Sequence, residues 1–379
     1  MENYLLMNED QKELVAMLRN ILQKELAPIV EEYDEKGEYP MQAHKVLCEA
    51  GFNTVAIPEK YGGLGLDNQT IALLNEEIGK VDAGFGCSFS FSSGGIKTVL
   101  LAGTDQQKQY YADRILNGGI SCTCITEAEA GSDAAAIRTT AVKDGDDYIL
   151  NGTKAFISNG PIADTFTVLA ITDKEKGTRG MSIFIVEKDR GVKVGKKENK
   201  MGIRMSPTSE VVFEDVRVPA ANLVGAEGEG FKIFMKSLAR SRPLVMAFAV
   251  GIAQQALDLS VAYAKERKTF GKPIISNQGV SFMLADMEMQ IQAARNLIQY
   301  AARCVDAGVD LTSASASAKT IASEVAMKVT TDAVQIFGGY GYSKEYPVEK
   351  LMRDAKIFSI FEGTNQIQKL ILGGYLSKK

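Results

Sequence analysis

The sequence predicts a mainly α-helical chain with a central β domain. Three observations lead there. Apolar residues recur at helical spacing through the first 118 residues and again from residue 228 onward. Between these regions, runs at 148–150, 165–172, 181–186 and 211–218 are β-rich and separated by Gly, Asn, Asp and Pro. No helix of useful length fits between them, so they read as a small antiparallel β domain. With 379 residues, 45 % of them apolar, the chain can bury more than one core. We therefore divide it into an N-terminal helical domain (1–118), a middle β domain (119–227) and a C-terminal four-helix bundle (228–379).

The elements follow in order. Leu14, Val15, Leu18, Ile21, Leu22 and Leu26 share one face of a helix over 8–36, capped by Asn8. Pro40 opens a second helix that ends at Gly51, and the Tyr-Gly-Gly-Leu-Gly run at 61–65 is a loop. Helical spacing resumes over 69–80, 94–103 and 105–117. Between 84 and 95, Phe85, Phe89 and Phe91 interleave with Ser88, Ser90, Ser92 and Ser93. Core packing and the wall of a compact apolar pocket explain that segment equally well. Beyond 228, long patterns at 234–268, 277–307 and 312–337 would pack together, with Pro243, Pro273 and Pro347 as the breaks.

Composition excludes several functions. Forty-three Lys and Arg against forty-seven Asp and Glu leave a net charge of -4, with no basic footprint for nucleic acid. The apolar runs are too short for a membrane span. Met1, Glu2, Asn3 and Tyr4 lead into a helical pattern without signal or transit character, which predicts a cytoplasmic protein. Cys48, Cys87, Cys122, Cys124 and Cys304 show no metal spacing or disulfide framework and read as buried free thiols. His44 is the one histidine, and nothing near it in sequence supports nucleophilic catalysis. If the chain performs acid–base chemistry, a carboxylate is its base. Neither a Rossmann G-x-G-x-x-G after a strand nor a P-loop occurs.

Three stretches nevertheless suit a flat, anionic ligand, and a fourth suits proton abstraction. Residues 126–133 (Thr-Glu-Ala-Glu-Ala-Gly-Ser-Asp) offer hydroxyls and turn amides. Residues 266–272 combine a forked cation, Arg267, with a hydroxyl and the aromatic Phe270. Residues 335–342 end a helix in three glycines, one more than a helix cap explains. Residues 360–368 place Glu362 among Ile357, Phe358, Ile360 and Phe361, where burial would raise its pKa and suit it to remove a weakly acidic proton. Each has a plainer explanation: a capped turn, a solvated charge run, a helix end, and a glutamate complementing the dipole of the helix at 365–375.

Together with 155–160 (Ala-Phe-Ile-Ser-Asn-Gly) and 346–356, these stretches are similar, in order and over essentially the whole chain, to the acyl-CoA dehydrogenases. The resemblance implies helical, β and helical domains, a homotetramer, and FAD at a subunit boundary. It implies that Ile125, Thr126, Phe156 and Ser158 lie against the isoalloxazine. Arg267, Phe270 and Gln278 would hold the pyrophosphate and adenosine, with Gln335, Gly338 and Gly339 reaching the cofactor across the boundary and Thr364 and Gln366 at its adenine half. Ser132 would touch CoA, Arg242 would lie near the pocket, and Glu362 falls on the catalytic base. That base would take the α-proton of an acyl-CoA thioester while the β-hydride passes to the flavin. The Glu362 N–H would help bind the thioester oxygen, and electrons would pass to an electron-transfer flavoprotein.

Departures from the family pattern bear on substrate. Some relatives place the base at the position of Ser241, which cannot serve. Phe361 stands where tyrosine is usual, Phe156 where tryptophan is common, and Ala239 where medium-chain relatives carry an aspartate. Gly86 and Ser90 replace larger polar residues, with Phe89 and Phe91 adding bulk. With Phe361 and Gly363 they imply a pocket for a short, branched, cyclic or aryl acyl group. The same residues would serve an enoyl-CoA reductase running in reverse, and a non-catalytic flavoprotein or an acyl-CoA oxidase are the further alternatives.

Overall fold

The computed structural model describes residues 7–378, so Met1 to Tyr4 lie outside the described residues. Asn8 caps helix α1 (Glu9–Ile21): its side chain accepts the Gln11 N–H at 2.8 Å while the Gln11 amide oxygen accepts the Asn8 N–H. The single helix expected to residue 36 does not form. A π turn (Leu22–Leu26) and a 3₁₀ turn (Ala27–Ile29) precede α2 (Val30–Lys36), because Pro28 has no N–H to donate and its ring crowds the preceding turn.

Helices α3 (Met41–Glu49), α4 (Asn68–Val81), α5 (Ala83–Ser92), α6 (Gly94–Ala102) and α7 (Asp105–Leu116) complete the N-terminal region. Of these, α5 escaped the periodicity. Its serines and phenylalanines alternate and most of its residues are buried, so no polar face marks it, yet Asp82 caps it by accepting the Phe85 N–H at 2.7 Å. Its aromatic residues serve both purposes weighed above. Phe85 and Phe89 enter the core with Tyr39 and His44, whereas Phe91 turns towards Phe361, the ring centroids 6.4 Å apart. His44 is buried, pairs its Nδ1 with the Tyr39 hydroxyl at 2.7 Å, and burial lowers its pKa to about 4. It is a neutral packing residue.

The β region contains β1 (Ser121–Cys124), β2 (Thr140–Asp144), β3 (Asp147–Ser158), β4 (Thr165–Ile171), β5 (Met181–Glu187), β6 (Lys193–Lys197), β7 (Thr208–Pro219) and β8 (Leu223–Val224). Their order is β6-β7-β3-β2-β4-β5-β8, with β1 also on β4. The sheet is not wholly antiparallel as expected. The β2–β3 hairpin intervenes between β1 and β4, so the two run in the same direction, and Ser121 to Cys124 pair in parallel with Thr165 to Val168. Cys48 is half-buried; the other four thiols are buried and all five are free.

Pro243 does not break the next helix. Helix α8 (Gly230–Glu266) runs 37 residues through it. Proline removes the N–H that would bond the Ala239 carbonyl, and the Ser315 hydroxyl donates to that carbonyl at 2.8 Å instead. This helix is long and apolar enough by composition to cross a membrane, contrary to our reading of the apolar runs, but 78 % of its most apolar window is buried inside the protein. A two-stranded ribbon, β9 (Lys268–Thr269) and β10 (Lys272–Pro273), leads to α9 (Gln278–Asp306), α10 (Thr312–Phe337), α11 (Val348–Ala355) and α12 (Asn365–Leu376).

One ionic cluster ties the regions together. Lys350 on α11 is buried against Asp82 and Asp354, the latter at 2.5 Å, with Asp34 at 4.0 Å. The Asp354 carboxylate also accepts the Ile203 N–H at 2.5 Å. Burial disfavours the lysine charge, but the carboxylates outweigh it and raise its pKa.

Candidate active site

Glu362 lies in the turn before α12 at φ 58°, a left-handed conformation costing a glutamate on the order of 1–3 kcal/mol. The surroundings hold it there. Arg242 Nε donates to the Glu362 carbonyl at 2.8 Å, and Gln368 Nε2 donates to the Gly363 carbonyl at 3.1 Å. Thr364 caps α12 by accepting the Ile367 N–H at 3.2 Å. Gly363, at φ 83°, admits no side chain, since a Cβ would stand 2.8 Å from Gln368 Nε2. Among the described residues, nothing accepts the Glu362 N–H.

The Glu362 carboxylate accepts the Ser241 hydroxyl at 3.2 Å. Burial raises its pKa, opposed by Arg242 first, then by Ser241, Lys97 and Lys319. Arg242 is itself buried, and burial lowers its pKa against the pull of Glu362. Lys319, buried and donating to Asn365 Oδ1 at 2.7 Å, is lowered to about 8 by burial and by Arg242.

A cavity of about 280 Å³ opens beside Glu362. Of the residues singled out from sequence, Ile125, Thr126, Ser132, Phe156, Ser158, Arg242, Phe361, Glu362 and Gly363 line it. Gly86 and Ser90 do not. Gly86 packs on Phe248, where a Cβ would lie 2.7 Å from the ring, and Ser90 and Phe89 border a separate cavity of about 20 Å³. Gly86 and Ser90, four residues apart, share one face of the helix, and that face turns to Ile78 and away from the cavity beside Glu362.

The remaining candidates gather elsewhere. Arg267, Gly338 and Gly339 border a surface groove of about 530 Å³ with Tyr263, Phe337 and Tyr340, and share no wall with the first cavity. The Arg267 guanidinium lies 5.5 Å from the Tyr340 ring centroid. Phe270 is fully exposed at φ 51°, and Gln278, Gln335 and Gln366 are also exposed. The third glycine of the helix end, Gly341, is a packing residue: a Cβ there would meet the Val334 carbonyl at 2.6 Å. A Cβ on Gly338 or Gly339 would meet nothing, so that backbone is open to a ligand.

Sequence reasoning missed the supports of the first cavity. Lys154, fully buried, donates to Glu127 at 2.9 Å and to the Ile125 carbonyl at 3.0 Å. Glu127 also accepts the Arg138 and Thr139 N–H groups, which fixes the loop carrying Ser132. Asn159 Nδ2 donates to the Ser88 carbonyl at 2.9 Å, tying β3 to α5. A lysine within the β3 run was the available signal, and Glu127, in the loop after β1, carried none. Lys97 and Thr98, also on the cavity wall, carried none.

Three family models match the chain: acyl-CoA dehydrogenase N-terminal domain over residues 8–119, middle domain over 122–216 and C-terminal domain over 228–376. The chain belongs to the acyl-CoA dehydrogenase family, and is an oxidoreductase with the helical, β and helical fold of that family. Among similar proteins, the probable acyl-CoA dehydrogenase FadE25 of Mycobacterium tuberculosis is 46 % identical over 367 residues, covering 96 % of this chain and 94 % of the relative. A short-chain-specific acyl-CoA dehydrogenase of Clostridium acetobutylicum is 45 % identical over 368 residues, covering 96 % and 97 %. The solved butyryl-CoA dehydrogenase of Megasphaera elsdenii superposes with a TM-score of 0.96 at 45 % identity, covering 98 % and 99 %. A chain from a structure described as the electron transferring flavoprotein of Acidaminococcus fermentans also gives 0.96, at 47 % identity and the same coverage.

FAD is the cofactor of this family, and the site fits it. Phe156 holds its ring 63 % exposed at φ 55° beside the cavity, a strained backbone that presents a flat apolar face. Thr126 and Ser158 supply hydroxyls on the same wall for ring heteroatoms.

Proposed function

We propose that this chain catalyses the α,β-dehydrogenation of a short, branched, cyclic or aryl acyl-CoA, with Glu362 as the base. The arrangement of Glu362 carries this reading: a carboxylate of raised pKa on the cavity wall, with its own N–H unpaired among the described residues. The α-proton of a thioester is too weakly acidic for a carboxylate unless the enolate is stabilised as it forms. The Glu362 N–H would donate to the thioester oxygen, while the Ser241 hydroxyl and Arg242 hold the carboxylate ionised and in place. When bound, FAD supplies acceptance of the β-hydrogen and both electrons. Ile125, Thr126, Phe156 and Ser158 would hold its ring, and Phe91, Phe361 and Phe234 would keep water from the acyl group. Ser132, exposed at the loop, would meet the CoA arm.

Of the second set of cofactor residues, Arg267, Gly338 and Gly339 border a groove that shares no wall with the Glu362 cavity, and this favours a homotetramer in which Gln335, Gly338 and Gly339 reach FAD across the subunit boundary while Arg267, Phe270 and Gln278 hold its pyrophosphate and adenosine. Thr364 and Gln366 would approach its adenine half. Likeness to the Acidaminococcus chain supports an electron-transfer flavoprotein as redox partner. The deciding experiment is anaerobic titration of the FAD-loaded protein with butyryl-, isobutyryl-, octanoyl-, cyclohexanecarbonyl- and phenylpropionyl-CoA. Bleaching of the flavin by a member of the set, lowered by about 10²–10⁴-fold in rate in Glu362→Gln, supports the reading. Reduction at wild-type rate in that variant refutes Glu362 as the base.

A further inference from the structure

One charge in the active-site cavity acts on Glu362 only through space and makes no polar contact of its own among the described residues. Lys97, on α6, borders both the cavity beside Glu362 and the small inner cavity walled by Ile71, Leu74 and Ile78. It therefore stands where the site meets that inner cavity, whereas Gly131 and Ser132, on the wall of the first cavity alone, are exposed. No hydrogen bond or ion pair to it occurs among the described residues, and only the charge of Glu362 opposes the cost of burying its ammonium.

The other interior lysines are provided for. Lys154 donates to Glu127 and the Ile125 carbonyl, Lys200 to the Ser206 carbonyl at 2.6 Å, Lys319 to Asn365, and Lys350 to Asp82 and Asp354. A buried cation is retained where something pairs with it. Glu362 is the one carboxylate on the wall of this cavity, and as the base it is committed elsewhere. The phosphates of CoA belong outside, at the end of the pantetheine arm. What remains to meet Lys97 is the far end of the acyl group.

We propose that the acyl group carries a terminal carboxylate paired with Lys97, so that the substrate is the mono-CoA thioester of a short dicarboxylic acid. This rests on the dehydrogenase reading of the site and deepens it. The carboxylate is a handle and takes no part in the bond changes. The shortest such acid with a Cα–Cβ bond to oxidise is succinate, so succinyl-, glutaryl- and adipyl-CoA are the first candidates. Specificity would come from the mismatch: a methyl end leaves the ammonium unpaired, and a carboxylate end satisfies it.

The test is calorimetric titration of the FAD-loaded protein with succinyl-, glutaryl- and adipyl-CoA, each against the equal-length neutral butyryl-, valeryl- or hexanoyl-CoA. Wild type, Lys97→Met and Lys97→Arg are compared, and flavin bleaching is followed in parallel. At least one dicarboxylyl-CoA is expected to bind wild type tenfold or more tighter than its neutral partner. Lys97→Met should reverse that preference, and Lys97→Arg should keep it. Lys97→Met removes an unpaired charge from a half-buried position, so its melting temperature should not fall. Preference of wild type for every neutral thioester, or a ratio unchanged in Lys97→Met, overturns the inference. The ratio would stay unchanged if Lys97 instead turns inward to Asn53, whose Oδ1 is buried without a partner. Bleaching by valeryl-CoA with no dicarboxylyl-CoA bound leaves the dehydrogenase reading standing and the inference refuted. Lys97-dependent binding of a dicarboxylyl-CoA with no bleaching by any thioester upholds the charge pairing and refutes the dehydrogenase reading.

Discussion

Arg242 grips Glu362 by its backbone and acts on its side chain through space. Its Nε donates to the Glu362 carbonyl at 2.8 Å, and its charge is the largest influence opposing the burial that raises the Glu362 pKa. Position and acidity of the base therefore depend on one residue. In Arg242→Gln the Glu362 pKa should rise further, so the acid limb of the kcat/KM profile moves to higher pH. The plateau rate should fall on the order of 100-fold, because the turn loses its anchor. An unmoved acid limb in a pH–rate series would show that Arg242 acts only as a clamp.

Glu362 should also cost stability. Its folded pKa lies above the ordinary 4.5, so its favourable contribution is complete below that pH and is lost as pH rises through the folded value. Glu362→Gln should therefore melt at a higher temperature than wild type at pH 8, with the gap closing towards pH 4.5. Calorimetric scans across that range test this, and equal melting at pH 8 would contradict it.

The serine beneath the proline of α8 should be worth more than a surface hydroxyl. Ser315→Ala leaves the half-buried Ala239 carbonyl without this partner, costing about 1 kcal/mol by chemical denaturation. In the Pro243→Ala background the restored N–H bonds that carbonyl, so the same change should cost clearly less. Equal costs in both backgrounds would mean that the hydroxyl does not compensate for the proline.

Lys350→Met should be among the most damaging substitutions. It leaves Asp82 and Asp354 buried without their cation, a loss of about 3–5 kcal/mol near neutral pH. With its folded pKa above the ordinary 10.5, Lys350 contributes fully everywhere below that pH. The penalty should shrink in acid, because burial raises the Asp354 pKa and that carboxylate is the one to protonate. Denaturant midpoints at pH 5 and pH 8 test the difference.

Arg267→Ala addresses the remote groove. Loss of a charge-assisted contact worth about 1.5–3 kcal/mol should weaken FAD retention roughly 10–100-fold and loosen the assembly with it. Flavin content after gel filtration, alongside the elution volume, reads both. Retention of both would remove Arg267 from the cofactor site.

Helix and strand periodicity made the order of regions legible, because most elements bury one face and expose the other. It failed where that contrast vanishes. Helix α5 is buried over most of its residues, and Pro243 sits within a helix because a hydroxyl from α10 replaces the lost bond. Parallel pairing of β1 with β4 is a property of how the chain is routed, which strand composition does not record. At the site, Glu362 stood out as a carboxylate in an apolar run, and Arg242 was placed near it by resemblance. Lys97 was silent, since one lysine in a helix such as α6 reads as surface until the neighbours that bury it are known.

The Lys350 cluster also bears on how the protein is made. Asp82 precedes Lys350 by 268 residues. At roughly 5–20 residues per second on the ribosome, the carboxylate waits on the order of 13–54 s for its cation to be synthesised. Until then the Asp82 carboxylate has no lysine beside it, and an unpaired charge suits a closed core badly. Burial of Asp82 as the structure shows it therefore requires residue 350 to be present.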